Sequence, residues 1–390
     1  MTDFNEYLRA KEPDRREKAY AWNTAIGLQK VDGLTPSEYL IQTAKRNIEG
    51  DISLAESREL VLGYHKAKSL ATSKGEDRTA EADIVSQHIA EILSEPSFTF
   101  SPEELVSIHR RLFEGVFKFA GRIRDYDITK SEWVLNGDTV HYAASYRLRE
   151  TLLFDFEQEK NFSYIGLTES DLIRHISRFV SGIWQIHAFG EGNTRTTGVF
   201  TIKYLRTLGF DVKNDVFAEN AWYFRNALVR ANYTNVPKGI GETTEFLERF
   251  FRNLLLGETN PLQNRFLLIG GWSINDPASN PASNPTSKRM GEPDVAIPVQ
   301  SVAFALSEPV KRILGCLDGE LPRARIMSAL GLKDRSTFST LYLSPALKFG
   351  LVEMTQPGSP RSPTQRYRLT EKGRNFRTVL FSVHCPRNPS

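Results

Sequence analysis

Over most of the first 255 residues, apolar side chains recur three and four positions apart, the spacing of one face of an α-helix. Residues 81–93, 102–113 and 172–184 carry this rhythm most clearly and are expected to be amphipathic helices. In the last of these, Thr168 and Asp171 stand where a capping pair would, and Leu172, Ile173, Ile176, Phe179, Val180 and Ile183 form one stripe. A second buried helix is expected from Val199, Phe200, Ile202, Tyr204, Leu205 and Leu208, closed by Gly209. Residues 128–143, ITKSEWVLNGDTVHYA, break the rhythm: β-branched and aromatic residues flank Asn136-Gly137, a dipeptide suited to a tight turn of positive φ, and predict a β-hairpin.

The pattern fades between 257 and 300, where 277–285 reads PASNPASNP, turn and breaker residues that predict a linker. Beyond it, helices are expected at 302–317, 322–330 and 336–349, and strands at 351–355 and 365–370 around QPGSPRSP, the order of a winged helix. The expected organisation is therefore mainly α: an N-terminal helical region at 1–75, a main helical body at 76–257, a linker at 258–300 and a winged-helix domain at 301–390.

Composition narrows the class of molecule. A chain of 390 residues exceeds a single core, and 40% hydrophobic with 25% charged residues is globular usage. Cys316 and Cys385 stand far apart, which argues against a disulfide framework or a cysteine zinc site. The polar N-terminus and the lack of any run near the ~18 apolar residues of a membrane span lead us to expect a soluble cytoplasmic protein with no membrane partner. The net charge of +3 is a cancellation: residues 288–390 hold 16 basic and 8 acidic residues, or +8, while residues 1–287 hold 34 basic and 39 acidic, or −5.

The candidate chemistry lies between the two buried helices, in His187-Ala188-Phe189-Gly190-Glu191-Gly192-Asn193-Thr194-Arg195. A loop with two glycines entering a helix N-terminus is suited to anions, because free N–H groups and the helix dipole point at whatever sits there. Arg195 adds a cationic clamp, Asn193 an amide, Glu191 a hard carboxylate for Mg2+, and His187 a general base. These are the parts of a phosphoryl or nucleotidyl transferase.

HAFGEGNTR resembles the H-P-F-x-[DE]-G-N-x-R motif of the Fic/Doc family, with Ala188 in place of proline, and the resemblance extends over roughly residues 35–250. It implies a Fic-domain helical bundle with a hairpin flap, and transfer of AMP from ATP to Ser, Thr or Tyr hydroxyls of a target protein. On that resemblance His187, Glu191 and Arg195 would be catalytic, and Glu191 would hold Mg2+. Gly190, Gly192, Asn193, Thr194 and Arg195 would cradle phosphates, Tyr223 and Asn226 would touch adenine, and the flap at 128–143 would receive the target by strand addition. Gly198 stands where many members carry a second arginine, and Thr194 replaces the lysine of the phosphotransferring branch. Residues 43–62 resemble the family's inhibitory helix, with Lys45 at its Ser/Thr position, and make Glu49 the candidate brake on ATP binding.

The basic C-terminal part is similar to winged-helix domains fused to bacterial Fic proteins, with Arg335, Ser336, Thr337 and Ser339 opening a recognition helix and Arg361 and Arg366 on the wing. DNA at residues 301–390 and a second copy of the chain in a homo-oligomer are further partners in view. The competing function is a DNA-binding regulator whose Fic domain senses nucleotide without modifying a target.

Overall fold

A computed structural model describes residues 4–8, 13–71, 78–212, 215–270, 306–360, 362 and 364–382. The helices run α1 (Asn5–Leu8), α2 (Pro13–Leu28), α3 (Glu38–Glu49), α4 (Leu54–Ala71), α5 (Arg78–Ser94), α6 (Pro102–Phe113), α7 (Leu148–Asn161), α8 (Glu169–Ile186), α9 (Asn193–Thr207), α10 (Val216–Ala231) and α11 (Glu245–Leu256). Ser37, Ser101 and Thr168 cap α3, α6 and α8 through their hydroxyls.

α9 is the axis of this body. Every residue from Asn193 to Leu205 is buried, polar ones included, so the helix has no solvent face. Such a helix needs partners for its polar groups. Near its C-terminal end, Lys203 and Arg206 donate to the carbonyls of Ile92 and Leu93, at 3.1 and 2.7 Å, and so satisfy the end of α5. Gly198 faces the end of α2: a Cβ there would lie 3.2 Å from Leu28. A larger side chain there would have to displace the Leu28 side chain.

Residues 128–143 do reverse at Asn136 and Gly137, both at positive φ (53° and 88°), but the flanks form no strands. Instead Trp133–Leu135 is a 3-10 turn whose Val134 and Leu135 are both buried. Two consecutive buried residues are incompatible with the alternation of a one-sided strand. The turn closes on itself, with Glu132 N–H donating to Asp138 C=O at 2.9 Å and Gly137 N–H to Glu132 C=O at 3.0 Å, and two further bonds tie it to Ile269, whose N–H donates to Val134 C=O at 3.0 Å and whose C=O accepts from Asn136 Nδ2 at 2.9 Å. The flap is therefore an irregular loop tied to the segment that follows α11, with Leu267 fully buried. That segment falls in the stretch expected to be linker; PASNPASNP itself lies outside the described residues.

The C-terminal part runs α12 (Glu308–Cys316), β1 (Leu321–Pro322), α13 (Arg323–Ala329), α14 (Arg335–Thr337), a π-helical turn (Phe338–Leu343), α15 (Ser344–Lys348), β2 (Val352–Met354), β3 (Arg366–Leu369) and α16 (Glu371–Ser382). The strands are antiparallel in the order β1-β3-β2, with Val352 opposite Leu369 and Leu321 opposite Tyr367. This unit rests on the far end of α9: Ser307 N–H donates to Gly209 C=O, and Phe210 meets Phe349 edge to face at 5.2 Å.

Candidate functional site

His187 ends α8 in the left-handed region, φ 49° and ψ 57°, with its N–H donated to Trp184 C=O at 3.1 Å. That conformation is uncommon for a residue with a Cβ and turns the chain out of the helix. The loop is then held by side chains, several of which the motif does not reveal. Arg124, itself buried, takes the carbonyl of His187 at 2.8 Å through Nε, while its backbone N–H takes that of Ala188 at 2.9 Å. His109 stacks on Phe189 at 3.8 Å, donates from Nε2 to Glu191 C=O at 3.0 Å and accepts at Nδ1 from Gly121 N–H at 2.8 Å. Both contacts suit neutral imidazole, and burial pushes its pKa down to about 4.

The predicted cradle residues divide into two roles. Asn193 turns inward, donating to Phe189 C=O at 2.7 Å and accepting from Phe189 N–H at 3.0 Å, so its amide staples the loop. Thr194 accepts from Trp184 Nε1 at 3.0 Å, and Gly190 faces the Tyr126 hydroxyl. Gly192, at φ 78°, has the Phe113 ring 2.3 Å from where a Cβ would sit. The first intrahelical bond of α9 runs from Thr196 N–H to Gly192 C=O, so the preceding N–H groups open outward at the positive end of the helix.

From this loop and the start of α9, Glu191 and Arg195 border a cavity of about 660 Å³. Lys30, Arg78, Lys130, Arg195 and Arg225 line it against Asp32, Glu81 and Glu191, an excess of cations suited to a polyanion. Trp222 is the aromatic face on this wall, and Arg225 lies over its ring at 5.2 Å. The expected adenine contacts, Tyr223 and Asn226, do not line the cavity. Tyr223 is in the core with its hydroxyl on Phe246 C=O, and Asn226 donates to Asn264 at 2.7 Å. Asn220 leaves helical geometry (φ −120°, ψ 28°) near the start of α10, and the residues of this helix that line the cavity are Trp222 and Arg225.

Arg195 is 1% exposed and already paired, with Asp32 at 2.7 Å and Glu81 at 2.8 Å, and its guanidinium lies 4.8 Å from the centre of the Phe113 ring. Glu49, expected to enter this site, is exposed at the end of α3, where it accepts a hydrogen bond from the Tyr7 hydroxyl. The carboxylates that meet Arg195 come instead from the turn after α2 and from α5.

Glu191 accepts from Gly192 N–H at 3.0 Å and pairs with Lys130 at 3.2 Å. Partial burial pushes its carboxyl up, but Lys130 and the Gly192 N–H outweigh this and hold it below the ordinary glutamate value. His187 is 3% exposed, and neither ring nitrogen has a hydrogen-bond partner among the described residues. Burial first, and then the charge of Lys130, hold its pKa well below that of free histidine. Among the described residues no group of three or more His, Cys, Asp or Glu is gathered as a metal site, and no helix is long and apolar enough to cross a membrane.

Comparison with known proteins agrees with this geometry. Residues 99–205 match the Fic/DOC family profile, and residues 308–370 match the C-terminal domain of the filamentation induced by cAMP protein Fic-like family. The chain is 25% identical over 163 residues to the "Probable protein adenylyltransferase Fic" of Salmonella typhimurium, covering 41% of this chain and 74% of that one. It is 25% identical over 120 residues to the protein of the same name from Escherichia coli, 30% of this chain and 56% of that one. The protein adenylyltransferase VbhT of Bartonella schoenbuchensis is 25% identical over 163 residues, covering 37% of this chain and 33% of that one. A Fic family protein from Desulfovibrio desulfuricans G20 aligns over 95% of this chain and 91% of its own, at 18% identity and a TM-score of 0.41. The helix-loop-helix that carries His187 to Arg195 thus lies in a stretch that matches the Fic/DOC family, and the C-terminal unit in one that matches a Fic-like C-terminal domain.

Proposed function

We propose that this protein transfers AMP from ATP to a hydroxyl of a target protein, and that Arg195 is restrained in the resting state by Asp32 and Glu81. The observation that carries the first part is the cation-lined cavity bordered by Glu191 and Arg195, on the same helix-loop-helix as a buried His187 whose ring has no hydrogen-bond partner among the described residues. Neutral His187 takes the proton of the acceptor hydroxyl as its oxygen attacks the α-phosphorus; the bond to the bridging oxygen breaks and pyrophosphate leaves. Arg195 neutralises charge growing on the leaving group, and the N–H groups at the start of α9 hold the phosphates.

The donors present suit Mg2+: a single hard carboxylate, Glu191, beside a phosphate site is how this ion is commonly held. When bound there it would draw charge from the phosphate oxygens, and Lys130 would have to release Glu191. The target segment would dock along residues 128–143, presenting its hydroxyl to His187. Incubation with labelled ATP and Mg2+ tests the reading: His187→Ala is expected to abolish labelling of the protein or of a lysate target, and retained labelling would exclude His187 as the base.

The restraint rests on the two carboxylates on Arg195, groups that compete with a phosphate for one guanidinium. Glu81→Gln is expected to raise self-labelling above wild type, while Glu49→Gly leaves it unchanged. The C-terminal unit we read as a winged helix that binds DNA, on its net positive charge and on Arg335 and Ser336, exposed where α14 begins. Arg361 lies outside the described residues.

A further inference from the structure

The flap carries a charged residue that the reaction as written does not use. Glu132 is fully buried, 0% exposed, on a loop. Burying a carboxylate costs several kcal/mol even when it is paired, and an apolar pair of similar volume often stabilises a fold as well. Stability alone is therefore a weak reason for a buried ion pair here. The partners of Glu132 point to another.

Arg225 clasps Glu132 with both terminal nitrogens, at 2.6 and 3.1 Å. It also lines the nucleotide cavity from α10, 16% exposed, beside Trp222. On the other side the Tyr142 hydroxyl donates to Glu132 Oε1 at 3.2 Å. The Tyr142 ring in turn lies against His187, with centroids 4.2 Å apart and planes at 38°. Trp184 closes the other side of His187 edge-on at 5.4 Å. Among the described residues His187 has no hydrogen bond to orient its ring, and it is packed between Tyr142 and Trp184.

We propose that Glu132 is a positioning residue that ties the nucleotide cavity to the base: it holds Arg225 on one side and Tyr142 on the other, so that a nucleotide bound against Arg225 and the His187 imidazole are kept in one register. The proposal rests on the nucleotidyl-transfer reading of the site. It accounts for three features together: a carboxylate buried on a loop, an arginine that faces both the cavity and the flap, and a base whose ring is held by a flap tyrosine. Misplacing a reacting group by about 1 Å can cost ~100-fold in rate without loss of binding, so the effect belongs in kcat.

The test uses the full chain and two variants. Glu132→Gln keeps the volume and removes the charge; Tyr142→Phe keeps the ring on His187 and removes the hydroxyl. Glu132→Gln is expected to lower kcat for AMP transfer by about 30-fold or more, with KM for ATP within about threefold of wild type. Adding Tyr142→Phe to it should cost little more, because both cut one chain. The readout independent of activity is the His187 ring signal in the NMR spectrum of histidine-labelled protein, assigned by its loss in His187→Gln. ATP without metal is expected to shift that signal in wild type and to leave it in place in Glu132→Gln.

A Glu132→Gln enzyme with kcat within about threefold of wild type, or an ATP-induced His187 shift equal in both proteins, would overturn the proposal. If wild type transfers no AMP at all, the functional reading fails, and the NMR comparison judges the coupling by itself. If Glu132→Gln does not fold, Tyr142→Phe carries the same two measurements, since it leaves the ion pair intact.

Discussion

At the scale of single residues the site is governed by where charge is buried. His187 is held neutral by burial and by Lys130, so the base form persists below the ordinary histidine range. The acid limb of the rate should therefore fall below the ~6.5 of free imidazole. Lys130→Met removes the largest of the charge effects, ahead of Arg124 and Arg225, and a pH–rate profile should show that limb moving up; an unmoved limb would mean that Lys130 has no part in it. His109 makes a separate prediction about stability. Its folded pKa is depressed to about 4, so the stability it contributes is fully present above ~6.5 and is lost as pH falls from there toward 4. A shift of this size corresponds to roughly 3 kcal/mol. Denaturation between pH 7 and 4 should show a shallower loss in His109→Gln than in wild type, even though the variant starts less stable.

At the scale of elements, α9 and its entry loop explain why the motif reads as it does. Gly192 combines positive φ with the Phe113 ring against its Cα. Gly192→Ala should cost ~1–2 kcal/mol for the left-handed backbone and ~1–3 kcal/mol for the overlap, visible as a fall in melting temperature and a displaced loop. This loop, with its flanking helices, was legible in the sequence because its interactions are local: caps, glycines and helical periodicity lie within a few residues of one another. The rest was set at long range. Trp222 and Arg225 line the cavity, one position before the Tyr223 and Asn226 that the family resemblance implied, and which face of α10 meets the cavity is decided by its packing and not by any local signal. The flap turn was legible in Asn136-Gly137, while its flank is tied to Ile269, more than a hundred positions away. Glu49 matched a local pattern, yet Arg195 meets Asp32 and Glu81, which no local pattern singles out.

At the scale of the molecule, α9 joins the site to the C-terminal unit. Its N-terminus opens on the cavity, and at its other end the Tyr204 hydroxyl shares the buried Glu159 with Tyr164, while His175 pairs with Glu159 at 2.6 Å. Lys348 of α15 reaches this cluster, 3.3 Å from the Tyr204 hydroxyl and over the Tyr164 and Tyr204 rings at 4.9 and 5.1 Å. A desolvated cation over aromatic rings is worth ~2 kcal/mol, so Lys348→Met should weaken the seat of the C-terminal unit on α9 by about that much, seen as an earlier thermal transition. The outer face of that unit carries the proposed DNA contacts. Lys333, Arg335 and Arg366 are exposed and form no ion pair among the described residues, whereas Arg368 is engaged by Glu353 and Glu320. Three phosphate contacts give a slope of about −2.7 in log K against log salt, a loss of about 40-fold in affinity between 50 and 200 mM. Arg335→Ala should make that slope shallower by about 0.9, which fluorescence anisotropy with duplex DNA measures directly. An affinity that does not change with salt would mean that this face meets a protein, and its positive charge would then serve solubility or an acidic partner surface.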